Sequence, residues 1–464
     1  MQDGDFRVLA SYYRGPGNRR SVLGTPTGHP PFPRPGHRSA RVDAPARART
    51  ARAAAAKDVQ RRSRTARMDR LVNTVRPYAW GSLTALPELL GQEPTGEPQA
   101  ELWMGAHPGD PSRVDRGEGP SRLDELIAAD PQGELGAASV AKFGPTLPFL
   151  FKVLAAGIPL SIQAHPTLAQ ARAGFAAENA LGIPLDAPER NYRDDNHKPE
   201  LICALGEFEG LCGFRRPADA ARLMAGLKVP GLAPVIELLG AEDESEALRG
   251  ALVAVLTMDG EAASRIVRES VEALWRTDPD GEYAPYARIA KDFPEDRGVI
   301  VGLLLHHFRL RAGEALYLGA GVPHAYLSGA CVELQANSDN VLRAGLTPKH
   351  IDVPQLLDVV VVEPCTPEIL HPRPVDTTPG EELYPVPIDE FRLSRFTLDG
   401  TAYEIDGRTP QILLCTEGTV DLTAPDGTAL TLTRGASAYL PATGTPTRLS
   451  APAPATLFRA TVTL

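Results

Sequence analysis

The sequence predicts a mainly β protein: a β-barrel of the jelly-roll type, a helical insertion within it, and a second, smaller β-barrel at the C-terminus. Three observations carry this prediction. Short strand-like runs punctuated by Pro and Gly fill the stretch from Met68 to about Arg215 and return from about Leu310. Between about Pro217 and Phe308 the apolar period changes to that of a helix. Beyond residue 366 short alternating strands are separated by turn signals, the spacing of a barrel or jelly roll. The expected parts are a disordered basic extension over 1–67, a catalytic barrel domain over 68–216 and 309–365, a helical insertion over 217–308, and a C-terminal jelly-roll domain over 366–464.

The extension is rich in Arg, Ala, Pro and Gly, as in Gly24–Gly36 and Ala44–Thr50, and has too little periodic apolar content for a core. The sequence reads best as an upstream extension with Met68 as the working start, ahead of a transit peptide or a nucleic-acid arm. In the first barrel, Leu147–Leu154 and Leu160–His165 are the strand candidates, and Glu178–Pro199 is a polar stretch of loops or short helices. In the insertion, Ala218–Leu227 and Gly260–Trp275 place apolar residues at i, i+3, i+4 and i+7. Strands resume with Gly313–Gly319 and Val322–Tyr326, and a helix is expected near Pro354–Val360. The last barrel is read from Gln411–Cys415, Gly418–Thr423, Ala429–Thr433 and Leu457–Val462, with Pro425–Gly427 as a turn. It has no His beyond His371, so a His-rich metal site is not expected there.

Composition narrows the function. No run of about 18 apolar residues suggests a membrane span, and the N-terminus lacks the apolar run of a secretory signal. The five cysteines form no CxxC pair, which fits a reduced cytoplasm and argues against a disulfide scaffold or a Cys-ligated zinc. Residues 1–67 carry 15 Lys+Arg and 4 Asp+Glu. The whole chain carries −10, so removing the tail's +11 leaves −21 on residues 68–464. Such a body repels nucleic acid, and an anionic small molecule would need a locally basic pocket. Only seven of the 48 basic residues are lysines, so each lysine within a motif is informative.

Four segments carry candidate chemistry. Gln163 and His165, two apart on a predicted strand, can aim at one metal. In Asn196–Glu200, Glu200 offers a hard oxygen ligand suited to zinc, and Pro199 biases Lys198 toward extended structure. Gly321–Tyr326 is a Gly turn followed by Pro-His, which can present His324 at a barrel mouth. Each segment alone is ordinary. Together two imidazoles, a carboxylate and an amide oxygen make a plausible catalytic zinc site, where the metal polarises rather than oxidises. In Asn337–Lys349, just downstream of Glu333, Arg343 can bind an anionic oxygen through its planar fork and Lys349 can supply a point charge to a phosphate.

These segments resemble the type I mannose-6-phosphate isomerase family of the cupin superfamily. The matching stretches are Tyr78–Gly81, Ala100–Pro108, Leu160–Pro166, Asn196–Glu200, Gly321–Tyr326 and Ser338–Lys349, in the family's order from about Met68 to Val360. The resemblance implies a central cupin barrel with one zinc ion per chain on Gln163, His165, Glu200 and His324. It points to Arg343 as the catalytic arginine and to Glu333 and Lys198 as candidate bases; Lys198 would need a depressed pKa for that role. It matches Lys152, Ser161, Tyr326 and Lys349 to other pocket positions. The implied reaction interconverts mannose 6-phosphate and fructose 6-phosphate through an enediol(ate). The implied protein is cytoplasmic and monomeric, without nucleic-acid or membrane partners. The alternatives are another metal-dependent cupin, such as an iron oxygenase, or a non-catalytic sugar-binding cupin.

Overall fold

The computed structural model describes residues 67–278 and 280–464. The predicted basic extension lies outside the described residues, apart from Arg67, whose guanidinium pairs with Glu134 at 3.2 Å. Among the described residues the protein is mainly β, with helices gathered chiefly between the strands Phe208–Phe214 and Leu305–Leu310. No described helix is long and apolar enough to cross a membrane.

The first β region is an eleven-stranded sheet organised by one long strand, His324–Ala336. Its C-terminal half pairs with Phe149–Ala156 on one side and Glu200–Ala204 on the other. Its N-terminal half pairs with Ile162–Ala164 and Phe208–Phe214. The register irregularity between Tyr326 and Ser328 divides the two halves, and Gly329 at φ 108° crosses over Phe208 where a Cβ would meet backbone. One strand therefore serves two groups of neighbours, and the sheet folds over on itself as an open path rather than a hydrogen-bonded ring.

The strand Phe149–Ala156 is buried along its whole length because both of its faces are covered. Phe149, Phe151, Val153 and Ala155 point outward into a core shared with the C-terminal region. Lys152 lies on the opposite face, two residues from Leu154, whose side chain packs with Ile202, Leu316 and Tyr326. Period-2 alternation is thus present, but it is not an alternation of apolar with solvated residues, which is why the strand reads as a continuous apolar run with one lysine.

The insertion builds a separate core from the helices Pro217–Gly226, Glu244–Leu256, Gly260–Thr277 and Ala284–Asp292. Pro217 sits at the first helical position, where its missing N–H costs nothing. This core also takes in Ile162, Ala164, Leu342 and Ala344, so helices pack directly behind the strands that carry Gln163 and Arg343.

In the C-terminal region a seven-stranded and a four-stranded sheet share one core, formed by Leu413, Cys415 and Leu457 from the first and Val420, Leu422 and Leu449 from the second. The alternate residues Ile412 and Leu414 face the outer side of the first β region. The strand Asp69–Arg70 pairs with Tyr439 and Ala438, so the start of the described chain is a strand of the C-terminal sheet. The helix Leu168–Ala180 is absent from the sequence-based expectation. Its start carries a reciprocal capping box between Thr167 and Gln170, the signal that identifies it.

Candidate metal centre and its pocket

The strand pairing assembles the site. Antiparallel partners directly opposite one another present side chains to the same face. His324 is opposite Gln163, and Gln163 is opposite Arg343, so these three form one row across three strands. His165 follows Gln163 by two residues, and Glu200 begins the strand that flanks the other half of His324–Ala336.

Among the described residues one group of His, Cys, Asp and Glu side chains converges as metal ligands do: His165, Glu200 and His324, with donor atoms all within 4.8 Å of one another. All three are buried. His165 Nε2 and His324 Nε2 each lie 3.4 Å from a Glu200 oxygen. The tautomers follow from the backbone. His165 Nδ1 donates to the Asn340 carbonyl at 2.8 Å, and His324 Nδ1 donates to the Val322 carbonyl at 3.0 Å. Each ring therefore turns a lone pair on Nε2 toward the centre, the orientation that fixed ligating imidazoles show.

Gln163 completes the set. Its amide nitrogen lies 3.4 Å from His324 Nε2. A half-turn of the amide plane exchanges nitrogen and oxygen and brings an acceptor to the same point. His165 Nε2 is buried without a hydrogen-bond partner. An orphaned lone pair in a buried site is costly, and a divalent cation with N and O ligands resolves it, so these residues fit zinc.

The electrostatics agree. Burial, with the Lys198 charge adding to it, pushes His165 down to about 4, which keeps its imidazole neutral at ordinary pH. Burial would raise Glu200, but the Lys198 charge holds it well below the usual carboxylate range. The Lys198 ammonium is 2.9 Å from Glu200 Oε1.

Behind Glu200 lies a buried polar cluster. The Tyr326 hydroxyl lies 3.0 Å from Glu333 Oε1 and 3.2 Å from Glu200 Oε2. Lys152 pairs with Glu333. Burial, Glu200 and then Glu333 drive the Tyr326 hydroxyl well above its usual value, so it stays a donor. Burial also raises Glu333, with Glu200 adding to it against the pull of Lys152.

Ser161 and Lys349 lie outside this buried cluster: Ser161 is partly exposed beside Ile162–Ala164, and Lys349 is exposed. Arg343 is partly exposed and its pKa is lowered by burial, then by Arg193. Lys349 is lowered by burial, then by Arg343 and Arg193. Arg193 thus joins Arg343 and Lys349 in a basic rim on an otherwise acidic body. It was missed because it belongs to a polar loop in sequence. The loop is tied down by Asn340, whose side chain accepts from the Arg193 amide at 2.7 Å and donates to the Asn196 carbonyl at 2.9 Å.

Comparisons with known proteins place the chain in a family. The phosphomannose isomerase type I catalytic-domain model matches residues 68–217, and the corresponding C-terminal model matches residues 382–426. Mannose-6-phosphate isomerase of Escherichia coli K12 is 44% identical over 384 residues, covering 82% of this chain and 96% of the relative. The Homo sapiens enzyme of the same name is 33% identical over 422 residues, covering 83% and 96%. A crystal structure of mannose 6-phosphate isomerase from Salmonella typhimurium, bound to its substrate F6P and zinc, superposes with a TM-score of 0.79 at 40% identity, covering 86% of this chain and all of that one. This chain belongs to the type I phosphomannose isomerase family.

Proposed function

We propose that this protein is a zinc-dependent aldose–ketose isomerase that interconverts mannose 6-phosphate and fructose 6-phosphate. The observation that carries the reading is the buried convergence of His165, Glu200 and His324, with the unpartnered His165 Nε2, in a chain of this family. Gln163, His165, Glu200 and His324 hold one zinc ion. When bound, zinc supplies a Lewis acid that polarises the sugar oxygens and stabilises negative charge on them.

The residues around it do the rest. Going from aldose to ketose, a proton leaves C2 and a proton is returned to C1, while the hydroxyl proton of O2 is lost and O1 gains one. Atoms and electrons balance within the sugar, so no redox partner is needed. Glu333 and Lys198, both against the Glu200 cluster, are the two candidate carriers of that proton. Arg343, in the row with Gln163, faces the developing enediolate and is fixed in charge. Ser161 and Lys349 receive the sugar phosphate at the rim, and its binding energy aligns the chain of the sugar. Lys152 and Tyr326 form the floor.

The protein acts as a cytoplasmic monomer on a small molecule, without nucleic-acid or membrane partners. The domain division is the one read from the sequence, except that the strand Asp69–Arg70 joins the C-terminal sheet and Ile369–Leu370 joins the first, and residues 1–67 are dispensable: a chain starting at Met68 turns over normally, and lost activity or solubility would make the tail structural. A coupled isomerase assay on zinc-loaded and chelated protein tests the main reading. Activity that survives complete removal of zinc, or zinc-loaded protein without isomerase activity, refutes it.

A further inference from the structure

The residues Glu101 and Trp103 have no part in the reading above, yet the strand register brings them to the back of the metal centre. Trp103 is opposite Lys152, Lys152 is opposite Glu333, and Glu333 is opposite Ile202 on the strand that begins with Glu200. Glu101 lies two residues from Trp103 and so shares its face. These side chains make one row across adjoining strands, and all the polar ones are buried: Glu101 is 7% exposed, Lys152 5% and Glu333 2%.

The row is joined atom to atom. Trp103 Nε1 donates to Glu101 Oε2 at 2.7 Å. Glu101 Oε1 lies 3.4 Å from Lys152 Nζ, which also pairs with Glu333. Glu333 Oε1 meets the Tyr326 hydroxyl, which reaches Glu200 Oε2. That hydroxyl has a single proton to share between two carboxylates, so its orientation depends on where Glu333 is held. Burying a carboxylate is unfavourable, and an apolar residue of similar volume often serves packing better. Glu101 therefore requires an account beyond packing, and the carboxylate at the end of the chain, Glu200, supplies one.

We propose that Glu101 is a positioning residue of the metal centre: oriented by Trp103, it anchors the Lys152 ammonium, which fixes Glu333 and, through the Tyr326 hydroxyl, the orientation of Glu200. The proposal rests on Glu200 being a zinc ligand. Groups that orient metal ligands typically contribute 10- to 100-fold in affinity or activity.

The test is the zinc dissociation constant, measured by chelator competition on the full chain, together with kcat, KM and the melting temperature of the zinc-free protein. Glu101→Gln keeps the shape and removes the charge. It should weaken zinc binding by roughly 10- to 100-fold and lower kcat more than it raises KM. Trp103→Phe removes the donor together with part of the ring and should act in the same direction by less. A merely structural role would lower the melting temperature and leave zinc affinity unchanged, and wild-type zinc affinity in Glu101→Gln overturns the proposal. If Glu101→Gln does not fold, Trp103→Phe decides by the same measure. His165→Ala, assayed alongside, separates the two levels. Zinc lost there but retained in Glu101→Gln sinks the role of Glu101 alone. Zinc retained at wild-type affinity in His165→Ala sinks the ligand set and the proposal with it.

Discussion

Two regions of this protein bury charged side chains, and they do so to different ends. In the C-terminal sheet, Glu381 accepts from Ser394 at 2.7 Å and Arg459 at 3.0 Å, with Arg392 3.1 Å from its other oxygen. Arg459 also donates to Gln411 at 2.7 Å. These charges pair with one another, although Glu381 Oε2 and Arg392 Nε are left without a hydrogen-bond partner. In the first β region, Glu200 is approached by Lys198, His165 and His324, yet His165 Nε2 ends without a hydrogen-bond partner and the donor atoms converge on a shared point. Neither buried charge nor an unmet buried atom marks a site by itself, since both clusters have them; the convergence of two imidazoles and a carboxylate on one point does.

The largest effect expected from this contrast is at the ligands. His165→Ala or His324→Ala should remove most of the bound zinc and of the isomerase activity, because each deletes one of the converging donors. Metal analysis of the purified variants checks this, and full zinc occupancy in both would erase the distinction between the two clusters.

Arg343 comes next. In the proposed mechanism its partner lies on the substrate, so Arg343→Ala should lower kcat on the order of 100- to 1,000-fold, the usual cost of losing a transition-state electrostatic partner, while zinc content and melting temperature barely change. Lysine should restore little, since it lacks the planar fork. A rise in KM alone would move Arg343 to ground-state binding, and near-normal kinetics would remove it from the reaction.

Glu381→Ala probes the other cluster. It leaves Arg459, 3% exposed, without its carboxylate. Breaking a buried pair in this way typically destabilises by about 3–5 kcal/mol. The melting temperature should fall while zinc per chain stays at the wild-type value. A loss of zinc at a temperature where the variant is folded would mean that the C-terminal cluster supports the metal centre after all.

How much of this was legible in the sequence differs between the same two regions. The proposed ligands were candidates in the sequence, since Gln163 and His165 lie two apart and Pro-His follows a Gly turn at His324, but it was the family resemblance that joined them into one set. The helical insertion was readable from its period, as in Gly260–Thr277. Glu101 and Trp103 were present in a quoted motif but had no role there, because their function depends on a register across three strands that no local pattern encodes. The pairing of Asp69–Arg70 with the C-terminal sheet was invisible for the same reason: its partners are more than 360 residues away. Arg459 lies within the predicted strand Leu457–Val462, and its burial follows only from the covering of both faces of its sheet.

The smallest expected effect lies where the two regions meet. His197 Nε2 is 2.9 Å from Glu390 Oε1, with both side chains partly exposed. The hydrogen bond from His197 holds the Glu390 carboxyl below its usual value, against the opposing effect of burial. A depressed carboxylate adds stability that is present above its unfolded pKa, about 4.3, and is lost as the pH falls through the lowered folded value. Solvent screening keeps such a pair to about 1 kcal/mol or less. Glu390→Gln should therefore be slightly less stable than wild type near neutral pH, and the two denaturation midpoints should converge in acid. Lys198 follows His197 directly and pairs with Glu200, so the same variant reports whether the pair matters beyond stability. Unchanged zinc affinity and kcat would keep the boundary between the regions outside the site. A tenfold fall in either would place Glu390, a residue of the C-terminal region, among the groups that position Lys198.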